Sequence, residues 1–175
     1  MGASSSNLSV CVAAPVVFIK VCGRANFGSS VNFKTLIYEL WQRGCTQFRL
    51  DLTDCLIMDS TFLGVLAGFG LKLAESPAQT NPPRITLQNP HARIRDLLEN
   101  LGIAHLFKIV TESNPAPQKL EPVGQETGNP SKEELSRTCL EAHETLMAID
   151  PANIPKFKDV AKFLAEDLKK TLDKG

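Results

Sequence analysis

Residues Phe48 to Leu73, FRLDLTDCLIMDSTFLGVLAGFGLKL, change their periodicity halfway and thereby decide the architecture. Phe48-Arg49-Leu50-Asp51-Leu52 alternates apolar and polar, the pattern of a strand with Phe48, Leu50 and Leu52 on one face. Thr53-Asp54 breaks the alternation, and Cys55-Leu56-Ile57-Met58 is a short apolar run leading into Asp59-Ser60-Thr61. From Phe62 the spacing becomes helical, with Phe62, Val65, Leu66, Phe69 and Leu73 forming one stripe. Asp59-Ser60 sits at the hand-over, where side-chain oxygens accept hydrogen bonds from the orphan N–H groups of a first helical turn.

Three pieces of this stretch, Leu50-Asp51-Leu52-Thr53, Met58-Asp59-Ser60-Thr61 and Leu63-Gly64-Val65-Leu66, together resemble the STAS domain of sulfate transporters and anti-sigma factor antagonists. The resemblance covers residues 7–111 and implies an α/β fold, a mixed sheet of about five strands with helices packed on it. In bacterial anti-sigma factor antagonists the serine after that aspartate is phosphorylated by a partner kinase. The matching residue is Ser60, with Thr61 as the alternative acceptor. The partner-binding face so implied comprises Asn26, Asp59, Ser60, Thr61, Leu63 and Gly64. Its partners would be an anti-sigma factor or serine kinase, which supplies the ATP, and a cognate phosphatase. The chain departs from the family at Asn26, where an aspartate is usual, and at Phe62, where a glycine is usual.

Outward from that centre, Leu8 to Val12 alternates as a first strand, and Val16 to Cys22 is a β-branched second strand. Only Ala13-Ala14-Pro15 joins them, too short for a parallel crossover, so a hairpin is expected. Ser29 or Ser30 is a candidate N-cap for a helix running to Arg43, with Phe33, Leu36, Ile37, Leu40 and Trp41 as its stripe. Pro77, Pro82 and Pro83 mark a loop before a fourth strand, Arg84 to Gln88. Asn89-Pro90 opens another helix, and Leu106 to Val110 is a fifth strand. The order ββαβαβαβ is that of an α/β layer architecture.

Composition changes after Thr111. Residues 112–130 are rich in Pro, Gly, Glu and Gln and read as a flexible linker between the domain, 1–111, and an extension, 131–175. Ser131 and Glu134 form a capping box for a first extension helix, and Asp150-Pro151 breaks it before a second. Two short amphipathic helices cannot bury their stripes alone. They are expected to pack on each other, on the domain, or on another chain through self-association.

Composition narrows function by exclusion. Nineteen basic residues balance nineteen acidic ones, so no bulk charge favours nucleic acid or a membrane surface. The nearly apolar run Phe62 to Leu71 is about half the length of a spanning helix. No signal segment stands at the start, and a cytoplasmic protein is expected. Met1-Gly2-Ala3-Ser4-Ser5-Ser6 has the letters of a myristoylation site, which a small-residue start produces equally. Five cysteines without a CxxC pair read as buried thiols rather than metal ligands. His91, His105 and His143 lie beside no recognisable nucleophile signature, and no phosphate-cradling motif is present. Gly64, Gly68 and Gly70 read as close contacts between helix and sheet. The expected protein is therefore a non-catalytic interaction module without cofactor or metal, switched at Ser60 in a partner-switching pathway. Its rival is a STAS-like scaffold or ligand-binding module in which Ser60 only caps a helix and the extension mediates assembly.

Overall fold

A computed structural model describes residues 7–76, 84–112, 119–123 and 129–174. The first six residues, the stretch 77–83 expected to be a loop, and most of the proline-rich stretch after Thr111 lie outside them. The described residues form a seven-stranded mixed sheet. Strands β1 (Asn7–Ala13) and β2 (Val16–Ala25) make the expected antiparallel hairpin. Strands β3 (Gln47–Asp51), β5 (Ile85–Gln88) and β6 (Lys108–Val110) extend it in parallel, in the order β6-β5-β3-β2-β1. Val17, Ile19 and Val21 of β2, Phe48 and Leu50 of β3, and Ile85 and Leu87 of β5 are buried as the alternation requires.

Helices α1 (Phe27–Gln42) and α2 (Ser60–Glu75) bring the aromatic part of the core. Phe69 meets Phe48 edge-on at 4.8 Å between ring centres and Tyr38 at 5.1 Å. Phe62, the departure from the family's glycine, points inward and stacks on Phe33 at 4.5 Å. Helix α3 (Ala92–Asn100) starts two residues beyond Pro90 and buries Ile94 and Leu98.

Several elements differ from the periodicity reading. The run Cys55 to Met58 is a strand, β4 (Cys55–Met58), parallel to the far end of β2. Cys55 and Met58, three positions apart, are both buried, so it lacks the alternation that identifies a strand. Helix α1 begins at Phe27, with Asn26 as its N-cap rather than Ser29 or Ser30. The Asn26 side chain accepts from Gly28, and Ser29 closes a capping box onto the Asn26 N–H. Leu106 belongs to a helical turn, Ala104–Leu106, and β6 starts at Lys108. Within the stretch read as a linker, β7 (Glu121–Pro122) pairs with β1. Of the five cysteines only Cys45 and Cys55 are buried. Burial pushes the Cys55 thiol up to about 11.

The extension docks on the domain. Helix α4 (Lys132–Ile149) starts at the expected Ser131–Glu134 capping box and lies across α2 and α1. Helix α5 (Ile154–Asp173) lies against α4 and buries Ala161 and Leu168. The approach is closest at Gly64, where a Cβ would stand 2.5 Å from the Ala142 carbonyl oxygen and 2.6 Å from its Cβ. Gly68 faces Thr145 on the same helix, and only Gly70 faces the sheet side, near Ile85 and Phe107. The glycines thus serve mainly a helix-on-helix contact rather than the helix-on-sheet contact expected. Asn153, in the turn before α5, is buried, and its Nδ2 donates to the carbonyls of Leu101 (2.9 Å) and Leu146 (2.8 Å). It joins the end of α4 to the end of α3.

Replacing Asn153→Ala leaves those interior carbonyls without this donor, a loss of about 1–3 kcal/mol. The urea midpoint should fall accordingly, and an unchanged midpoint would show that the clamp contributes nothing.

Candidate functional site

The ends of β2 and β4 run side by side, which sets Asn26-Phe27 against Asp59-Ser60. The Asp59 N–H donates to the Ala25 carbonyl at 2.9 Å. Its carboxylate then accepts twice, Oδ1 from the N–H of Phe62 (2.9 Å) and Oδ2 from the N–H of Phe27 (2.7 Å). One acidic side chain therefore caps α2 and also holds the first residue of α1. An anion is favoured there because both helices turn their positive ends toward it.

Since Asp59 performs the capping, the Ser60 hydroxyl is released from it. Ser60 Oγ lies 2.8 Å from Nε2 of His143, eighty-three residues on, in α4. The other ring nitrogen, Nδ1, is 2.6 Å from the Cys139 carbonyl oxygen. A carbonyl only accepts, so Nδ1 carries the hydrogen, and in the neutral ring Nε2 accepts from the Ser60 O–H. His143 is only 4% exposed and has Phe157 of α5 at 5.0 Å between ring centres. One residue along, Thr61 Oγ1 is 3.2 Å from Cys139 Sγ. Burial pulls the His143 ring down, but hydrogen bonds to the thiol and carbonyl of Cys139, with the Asp59 charge, outweigh it and raise the pKa above the ordinary 6.5. For Cys139, burial pushes the thiol up, and hydrogen bonds from His143 and Thr61 outweigh that and lower it.

The six residues expected on a partner face separate into two groups. Asn26, Asp59 and Ser60 stand half-buried at the edge. Thr61 is buried against α4, Gly64 lies beneath Ala142, and Leu63 is 0% exposed. In this conformation none of the three can be touched by a docking protein: Leu63 is in the core, and the chain's own helix α4 covers Thr61 and Gly64. Phe27 and Leu56 remain more than half exposed at the same edge. A groove of about 680 Å³ runs between α1, α2 and α4, past Tyr38, Gly64, Gly68 and Lys72, and it does not include Ser60. Among the described residues no three His, Cys, Asp or Glu side chains are grouped to hold a metal ion. Among them, too, no helix is long and apolar enough to cross a membrane.

His143 and Cys139 were not expected at the site. Their local signal was a pair of polar residues four apart on an otherwise apolar stripe with Leu135 and Leu146. Nothing local linked that pair to Ser60.

No protein-family model and no curated protein sequence matches the chain. Among solved structures it is similar to the anti-sigma factor antagonist SpoIIAA in its unphosphorylated form. That match has 19% identity and a TM-score of 0.51, over 60% of this chain and 89% of that one. A Thermotoga maritima protein assigned as an anti-sigma factor antagonist matches with 19% identity and a TM-score of 0.52, over 61% and 86% of the two chains. The fold is therefore that of the STAS-like anti-sigma factor antagonists, with C-terminal helices added to it.

Asp59→Ala removes an acceptor from two helix starts and should destabilise the protein by roughly 2 kcal/mol, read from thermal or urea unfolding. A loss well below 1 kcal/mol would deny the double cap. The folded chain holds the His143 proton more tightly than the unfolded one. The resulting stability is complete below 6.5 and is lost as pH rises through the higher folded midpoint. NMR titration of the His143 ring should place that midpoint above 6.5, and a lower value contradicts the assignment.

Proposed function

We propose that the protein is a non-catalytic regulatory interaction module of the anti-sigma factor antagonist kind, switched by phosphorylation of Ser60. The observation that carries this reading is the division of labour between Asp59 and Ser60. The carboxylate satisfies the helix start, so the neighbouring hydroxyl makes no bond to its own helix. A serine that merely capped α2 would lose the cap on modification, whereas Ser60 can be esterified with the Asp59 cap intact. The motif around it and the likeness to SpoIIAA supply the kind of chemistry.

A partner serine kinase would transfer the γ-phosphoryl group of ATP. The bond to ADP breaks, the Oγ–P bond forms, and the hydroxyl proton leaves to the kinase's base. A phosphatase would reverse the outcome with water. Such a group carries about two negative charges. Asp59 next to it repels them, and among charged side chains this works against local ordering. The effect falls on whatever docks against this edge. A charge left unpaired in a docked interface costs about 2–5 kcal/mol, or ~30- to 5,000-fold in affinity.

The test is phosphopeptide mass spectrometry on protein isolated from its native cells with the pathway on and off. Phosphate on Ser60 in one condition and its absence in the other is expected, with no phosphopeptide from the Ser60→Ala chain. A site that stays unmodified in every condition would remove the switch and leave the fold without this function.

A further inference from the structure

We infer that the C-terminal pair α4–α5 is a detachable mask over Ser60, and that a docked α4 and a phosphorylated Ser60 exclude each other. The inference rests on the phosphorylation reading above and adds a step before it, the departure of α4.

Three observations carry it. First, α4 covers the very residues that the edge would offer: it buries Thr61, seats Ala142 on Gly64 and takes the Ser60 hydroxyl into a bond with His143. A kinase must reach that hydroxyl, and cannot while the imidazole holds it.

Second, esterification removes the hydrogen that Ser60 donates to His143 and puts a larger group in its place. The 2.8 Å between Ser60 Oγ and His143 Nε2 accommodates a shared hydrogen and nothing else. The ring is fixed by Cys139 behind it and Phe157 beside it. The groups facing the position are Asp59 from the start of α2, and Cys139 and His143 from α4. A single imidazole cannot neutralise two phosphate charges added beside a carboxylate, so the docked arrangement is the one that yields.

Third, the tail is a layer outside the domain. α1 and α2 already cover the sheet, and α4 rests on those helices. The match to SpoIIAA takes 89% of that protein but only 60% of this chain, so the shared fold is nearly complete without the remainder. At Gly64 the two helices touch backbone to backbone, a contact that the missing side chain at Gly64 permits.

The test uses the full chain with phosphoserine installed at position 60 by codon suppression, and separately Ala142→Arg, whose side chain cannot lie on Gly64. Hydrogen exchange is followed by mass spectrometry in α4 and in strands β3 and β5. In both proteins α4 should exchange about 30-fold faster or more than in the unmodified chain, while β3 and β5 keep their protection. Unchanged or greater protection of α4 in either protein overturns the mask. Equal loss in β3 and β5 also overturns it, because the tail would then be part of the cooperative fold. Since the phosphoserine is installed during translation, this result is read whether or not native cells modify Ser60. Failure here and failure of the phosphorylation reading are therefore separate outcomes.

Discussion

The Asp59 carboxylate is the constraint on which the site depends. Its two oxygens take backbone hydrogens from the first turns of two different helices, Phe27 at the start of α1 and Phe62 in α2. Two positive helix ends would otherwise face one another, and the shared anion turns that conflict into a joint. The joint requires β2 and β4 to end together, which the register shift after Gly23 and the short strand Cys55–Met58 provide. The inward Phe62 stacking on Phe33 then ties the two helices one layer deeper. Asn26, Phe27 and Ser60 inherit their places from this arrangement.

A second constraint is the absence of a side chain at Gly64. Helices packed through ordinary side chains stand 8–10 Å apart at their axes. Removing the Cβ lets α4 come in until Ala142 rests on the backbone of α2. That proximity puts His143, the residue after Ala142, within hydrogen-bond reach of Ser60 near the first turn of α2. A shape requirement in the helix thus creates the polar contact at its end. Asn153 and the Lys34–Glu141 ion pair at 2.6 Å fix the tail at other points.

Much of the fold was legible because its periodicities are strong. The hairpin, the β3 strand, the stripe of α2 and the Ser131 capping box all announce themselves within a few neighbouring residues. Met58-Asp59-Ser60-Thr61 likewise marked the start of α2, on which the candidate site is built. What escaped was whatever depends on distant partners. Cys55 and Met58 are both buried although three positions apart, so β4 lacked a period, and β7 is two residues paired with β1. The start of α1 was misplaced because Asn26, Ser29 and Ser30 are all competent caps, and tertiary contact with Asp59 selects among them. His143 was invisible as a site residue because its partner lies eighty-three positions away and only the docking of α4 unites them.

Strand β7 gives the extension one more property. Glu121 and Pro122 are stitched to β1, and α4 begins at Lys132, so fewer than a dozen residues separate the anchor from the helix. On so short a leash the local concentration of α4 around its seat is on the order of millimolar, however dilute the protein. A competitor present at micromolar levels would have to bind that seat about a thousandfold more tightly than α4 does to hold it half the time. The tether therefore sets an affinity threshold, one that weak or accidental visitors to this surface do not cross.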